Sequence, residues 1–163
     1  MPIEARVITC SDAAARGERE DRSGPAVRAM LEERGYAVGG ITVVQDEIDE
    51  IAAAIVSATD SGARLVVTTG GTGIAPRDVT PEATARVTER MIPGFGELMR
   101  MSSRASKPIG ALSRAEAATR GTALVVNLPG SVNGAKECLA AVIDLIPHAL
   151  ELLAGGSVNK HPV

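Results

Sequence analysis

The sequence predicts a three-layer α/β/α domain built on a doubly wound, mostly parallel sheet with one antiparallel edge strand. Short apolar, β-branched runs alternate along the chain with amphipathic stretches of helical period, the order that makes parallel strands joined by helical crossovers. The chain has 163 residues, 45% of them hydrophobic and 23% charged, which suits one packed domain. Residues 1 to 156 are expected to form that domain and 157 to 163 a mobile tail.

Ala5 to Cys10 reads as the first strand, closed by Ser11-Asp12. Asp12 to Ser23 is small, charged and glycine-containing, and reads as a long loop. Ser23 is placed to cap a helix with Pro25 in its first turn, Val27, Met30 and Leu31 on its apolar face and Gly35 at its end. Ile41 to Val44 forms the second strand, and Ile48, Ile51, Ala52 and Ile55 mark a helix that stops before Ser61-Gly62. Leu65 to Thr69 is apolar enough for a strand buried on both faces.

After a glycine-rich loop, Thr80 as cap and Pro81 in the first turn begin a helix expected to run to about Met91. Pro93-Gly94 breaks it, and Phe95 to Arg104 forms the next helix. Ser106 to Gly121 is irregular, its second half reading as the edge strand. Thr122 to Leu128 is another buried strand, followed by a helix capped by Ser131 with Ala135, Cys138, Leu139, Val142 and Ile146 on one face. A last helix spans Pro147 to Gly155.

Composition excludes several functions. Tyr36 and Phe95 are the only aromatics and the net charge is −3, which disfavours nucleic acid and an anionic membrane as partners. No Lys follows Gly and precedes Ser or Thr, so there is no P-loop. Cys10 and Cys138 stand alone in apolar runs, as expected of core thiols in a reducing cytoplasm. With no apolar run of membrane length, neither an export signal nor a membrane span is expected, and the two histidines support no nucleophilic dyad or triad.

In a sheet of this kind ligands bind beyond the carboxyl ends of the strands. The residues there are Ser11, Asp12, Asp46, the loop Gly70-Gly71-Thr72-Gly73 through Arg77-Asp78, and Pro129-Gly130-Ser131. Glycines with interleaved hydroxyls let a backbone approach a phosphate closely. A dinucleotide fingerprint is absent, because Pro76 stands where its last glycine belongs. Arg77 offers a donor fork for phosphate and Asp78 a carboxylate for Mg²⁺; the same pair also suits a simple ion-paired loop. Asp46 reads equally as a helix cap, and Ser131 as a cap or as part of an anion site.

These motifs, in this order, resemble the molybdopterin adenylyltransferases of molybdenum cofactor biosynthesis, the group that includes MogA, MoaB and the G domain of gephyrin. The resemblance rests on Ser11-Asp12, on Gly17, Asp21 and Ser23-Gly24-Pro25, on Asp46-Glu47, and on Gly70 through Glu82. It continues in Pro93-Gly94-Phe95-Gly96, Leu112-Ser113-Arg114 and Asn127 through Ser131 with Glu137. Thr72, where the molybdenum-insertion enzymes typically carry an x-Ser arrangement, separates it from those enzymes, and the string Pro76-Arg77-Asp78-Val79-Thr80-Pro81-Glu82 separates it from the competence-damage proteins.

The resemblance implies transfer of AMP from Mg-ATP to the terminal phosphate of molybdopterin, with pyrophosphate released. It implies Asp46 and Asp78 as catalytic and Mg²⁺-binding residues. Substrate contacts are implied for Ser11, Asp12, Gly70, Gly71, Thr72, Gly73, Arg77, Ser113, Pro129, Gly130, Ser131 and Glu137. A homotrimer passing its product to the molybdenum-insertion enzyme is the implied assembly and partner. A non-catalytic molybdopterin-binding or scaffold protein of the same fold is the alternative.

Overall fold

A computed structural model describes residues 1–156; the tail from 157 lies outside the described residues. Its strands are β1 (Glu4–Cys10), β2 (Ala37–Val44), β3 (Leu65–Thr69), β4 (Arg90–Met91), β5 (Ala117–Arg120) and β6 (Ala123–Leu128). Its helices are α1 (Asp12–Ala15), α2 (Ser23–Glu33), α3 (Ile48–Asp60), α4 (Thr80–Val87), α5 (Pro93–Ser106), α6 (Val132–Val142) and α7 (Ile146–Leu153). Short 3₁₀ turns fill Pro108–Leu112 and Ile143–Leu145.

The strands form one sheet in the order β2-β1-β3-β6-β5-β4. β2, β1, β3 and β6 are parallel; beyond them β5 pairs antiparallel with β6, and β4 pairs antiparallel with β5 and so runs the same way as the parallel strands. One strand, β5, therefore runs against the rest, as expected of the segment before Gly121, but it is not the outermost: β4, read from sequence as the end of a helix, lies beyond it. From β1 the chain winds first to β2 on one side and then to β3 on the other, so the sheet's switch point lies between β1 and β3.

Both central strands are fully buried, Leu65–Thr69 and Ala123–Leu128 alike, because helices cover both faces. Alternation along each strand sends Val7, Val67 and Val126 to the side of α2, α5, α6 and α7, with Leu31, Met99 and Leu139. Ile8, Val66 and Val125 point to the other side, against Ile51, Ile55 and Ala83 of α3 and α4. Cys10 belongs to the second cluster and Cys138 to the first. The two free thiols thus lie on opposite faces of the sheet and cannot pair.

Several local expectations are corrected. The segment after β1 opens with a turn of helix, α1, because Ser11 Oγ accepts the Ala14 N–H at 3.2 Å. Ser23 is already helical and caps nothing; its hydroxyl meets Thr69 Oγ1 at 2.9 Å, while Asp21 accepts the Gly24 N–H. Thr80 likewise leaves the cap position to Val79 and donates to Gly70 O at 2.8 Å. α4 ends at Val87, short of Met91, since Glu89 N and Ile92 N are drawn into pairing with Thr119 O and Ala117 O of β5. β2 starts at Ala37, before Ile41, because Ala37 N already bonds to Ile3 O.

Candidate functional site

Two clefts open at the carboxyl edge of the parallel strands, each about 630 Å³. They share Gly71, Asp78, Gly130 and Ser131 as a common wall, here termed the seam. The first cleft is bounded by Ile74, Ala75, Ile109 and Leu112, with Thr72, Gly73, Ser113, Pro129 and Glu137 among its polar and backbone elements. The second is lined by Thr9, Ser11, Asp21, Ser23, Asp46 and Gly70, a more polar surface.

Glycine is required at the seam. Gly70 has φ +93°, and a Cβ there would stand 2.2 Å from Cys10 O. A Cβ on Gly130 would meet Gly70 Cα at 3.2 Å. The β3 and β6 loops therefore approach backbone to backbone, and side chains would close the gap between them. Ser131 caps α6, accepting the Gly134 N–H at 3.1 Å. The start of this 11-residue helix borders both clefts, with Val132 on the second and Asn133 and Gly134 on the first. Free helix donors and the macrodipole favour an anion at such a position.

Arg114 braces the glycine loop from below. Its backbone N–H donates to Thr72 O at 2.7 Å, and its guanidinium donates to Gly73 O at 2.8 Å, to Asp78 O at 2.7 Å and to the Glu82 carboxylate. Asp78 Oδ2 accepts the Ala75 N–H at 2.9 Å, closing a tight turn within the loop.

Asp12, Asp46, Glu47 and Arg77 make a second cluster behind the wall of the second cleft. Asp12 and Asp46 each receive the other's main-chain N–H at 3.0 Å. Arg77 grips both oxygens of Asp12 at 2.9 Å and Glu47 Oε1 at 2.8 Å. The Arg77 hydrogen bonds hold the Asp12 carboxyl below its ordinary range. Burial lifts the Asp46 carboxyl above its own, and the neighbouring charges of Asp12 and Asp78 act in the same sense. Burial also pushes the Cys10 thiol up to about 12, so this cysteine on the second cleft is no nucleophile.

The fold gathers Ser11, Asp46, Gly70, Gly71, Thr72, Gly73, Asp78, Ser113, Pro129, Gly130, Ser131 and Glu137 onto the two clefts. It sets Asp12 and Arg77 apart, joined to each other and off both cleft walls. Sequence reasoning passed over Ser103, Ser106, Lys107 and Asn133 on the first cleft, and Arg19 on the second. The only available signal was that Lys107 is one of three lysines, in a stretch with no regular period. Among the described residues, no three His, Cys, Asp or Glu side chains gather to hold a metal. No described helix is long and apolar enough to cross a membrane.

Comparison with known proteins gives a consistent picture. The family model described as "Probable molybdopterin binding domain" matches residues 6–148. A molybdopterin adenylyltransferase of Helicobacter pylori is 44% identical over 158 residues, covering 94% of this chain and 89% of its own. The crystal structure of the molybdopterin biosynthesis enzyme MoaB from Thermus thermophilus superposes with a TM-score of 0.87 at 43% identity, over 94% of this chain and 97% of that one. The tungsten cofactor synthesizing protein MoaB of Pyrococcus furiosus gives 0.86 at 37% identity, over 93% and 97%.

Proposed function

The chain belongs to the molybdopterin-binding domain family of molybdenum cofactor biosynthesis, and from that premise we propose that it is a molybdopterin adenylyltransferase. It transfers AMP from ATP to the terminal phosphate of molybdopterin. The observation that carries this reading is the pair of equal clefts meeting at one seam, each the size of a small-molecule site.

With one substrate in each cleft, their phosphates meet at Gly71, Asp78, Gly130 and Ser131. An oxygen of the pterin phosphate attacks the α-phosphorus of ATP, the bond from that phosphorus to the β-bridging oxygen breaks, and pyrophosphate leaves with the electron pair. Such a transfer asks mainly for alignment and charge neutralisation. The sequence and the clefts offer no nucleophilic dyad, which this route does not need. The glycine backbone and the start of α6 supply donors to the phosphate oxygens. With no aromatic side chain on either cleft, both rings rest on backbone, aliphatic and hydroxyl groups.

The donor set suits magnesium. Asp46 and Asp78 line the same cleft, and Mg²⁺ is commonly bound by one or two carboxylates together with substrate phosphates. These two residues would hold the ion, which when bound neutralises phosphate charge. Their own part is to keep two acceptors on the second cleft, with Asp78 fixed by its turn and Asp46 by Asp12.

The family resemblance further supports a cytoplasmic homotrimer that hands its product to a molybdenum-insertion enzyme. Leu98, Met101, Ile109 and Leu112, 40 to 70% exposed, supply apolar surface for an assembly. Light scattering tests the trimer. Incubation with Mg-ATP and molybdopterin tests the activity: pyrophosphate and adenylylated pterin are expected. Tight pterin binding with no pyrophosphate would favour the non-catalytic alternative.

A further inference from the structure

The side chain of Arg77 is half exposed to solvent, yet each of its three guanidinium nitrogens already donates to a carboxylate. Nε and one terminal nitrogen hold both oxygens of Asp12 at 2.9 Å, and the other terminal nitrogen holds Glu47 at 2.8 Å. Asp12 follows β1, Glu47 follows β2 and Arg77 follows β3. One guanidinium therefore ties together the loops that leave all three strands around the switch point.

On one side of this tie stands Asp78, the next residue in the chain, which lies on the seam and is held by the Ala75 N–H. On the other side, Asp12 passes the constraint to Asp46 through their reciprocal main-chain hydrogen bonds. The contacts run without a gap from Asp78 through Arg77 and Asp12 to Asp46.

We propose that Arg77 is a positioning residue that binds no substrate and sets the spacing of the Asp46 and Asp78 carboxylates. The proposal rests on the adenylyl-transfer reading for its kinetic consequence, though not for its structural one. Arginine suits the role because its planar fork reaches both oxygens of one carboxylate and one of another. A lysine ammonium, a point charge on a flexible stem, keeps the charge without the fixed geometry. Exposed ion pairs contribute little to stability, so loss of the tie should spare the fold and disturb the alignment.

The test compares wild type, Arg77→Met and Arg77→Lys in three measurements: steady-state kinetics, calorimetric titration with ATP, and crystal structures. Arg77→Met should lose about 10²-fold in kcat, the order expected for a misplacement of about 1 Å. KM for ATP and pterin, and the ATP affinity, should stay near wild type, and Arg77→Lys should recover part of the loss. The double variant with Asp12→Asn should be no worse than the poorer single variant, since both break one linkage.

A raised KM or weakened ATP binding with kcat retained would overturn the proposal and make Arg77 a substrate ligand. Unchanged kinetics would overturn it too. The Arg77→Met crystal structure reads the proposal without turnover: the Asp46 to Asp78 spacing should shift by about 1 Å, and an unchanged spacing overturns it. Wild-type protein that forms no pyrophosphate refutes the adenylyl-transfer reading instead, and the spacing then decides the role of Arg77.

Discussion

Asp12 and Asp46 donate their main-chain N–H groups to each other's carboxylates, at 3.0 Å in both directions. The arrangement follows from strand register. Cys10 of β1 stands opposite Val44 of β2, and Ser11 N still bonds to Val44 O. Each chain runs two residues past the last strand pair and places an Asp there. Two like charges are thus held side by side, and Arg77 resolves the conflict by favouring the ionised form of Asp12. Asp46, lifted by burial, carries the cost.

That imbalance predicts opposite effects of Asp46→Asn on stability and activity. A carboxyl raised in the folded state contributes stability when protonated, and the contribution is lost as pH rises from its ordinary value through the raised one. At neutral pH the native ionised Asp46 is therefore a liability that Asn removes, while an amide oxygen still accepts the Asp12 N–H. The melting temperature should rise by about 2 °C at pH 7, and the gain should vanish below the ordinary carboxylate range. Adenylyl transfer should fall by at least about 10²-fold. Scanning calorimetry across pH checks the first part, and a lower melting temperature at pH 7 contradicts it.

Asp78 lies on both clefts, so Asp78→Asn should separate binding from chemistry. An amide keeps the shape of the turn closed by Ala75 N but loses the charge. Transfer is expected to drop below detection, a loss of about 10³-fold or more, while molybdopterin still binds. Wild-type turnover under saturating Mg-ATP would exclude Asp78 from the reaction.

The strands and most helices were legible because their signals are local. Leu65 to Thr69 is apolar on both faces, and Ser131 caps α6 as its position before a helical run implies. Ser23 and Thr80 show where local reading fails. Both resemble helix caps, yet their hydroxyls reach Thr69 Oγ1 and Gly70 O, partners set by tertiary packing. Arg90 and Met91 join β5 because Thr119 and Ala117 offer carbonyls from another part of the chain. The site was legible to the extent that it lies just past strand ends. Lys107 and Arg19 come to the clefts from irregular stretches, and the partners of Arg77, 65 and 30 residues away, leave no local trace.

Gly70→Ala should be among the most damaging single changes in the chain. A side chain at φ +93° is strained in itself, and the added carbon would lie 2.2 Å from the rigid Cys10 carbonyl. The two effects together are expected to cost about 3 kcal/mol, which lowers the melting temperature by about 10 °C in a chain of this size. Gly17→Ala is the control. It has a positive φ, but its added carbon would meet nothing within 4 Å, so about 1 kcal/mol is expected from backbone strain alone. Equal losses for the two variants would refute the close-approach account of Gly70.

The scarcity of aromatics makes the two-cleft reading directly testable. Tyr36 and Phe95 are the only aromatic residues, and there is no Trp. Tyr36 sits before β2, at the end of the sheet opposite the site, and Phe95, in the first turn of α5, is buried in the core. Neither lines a cleft, so the fluorescence of a bound pterin is spared quenching by ring stacking, and the protein adds almost no background. Its anisotropy should rise on binding and stay high when an α,β-methylene analogue of ATP is added, because that analogue occupies the other cleft and its α–β link cannot break. If the analogue releases the pterin instead, the two compete for one cleft. The seam of Gly71, Asp78, Gly130 and Ser131 would then be a shared binding wall, with no meeting point for two phosphates.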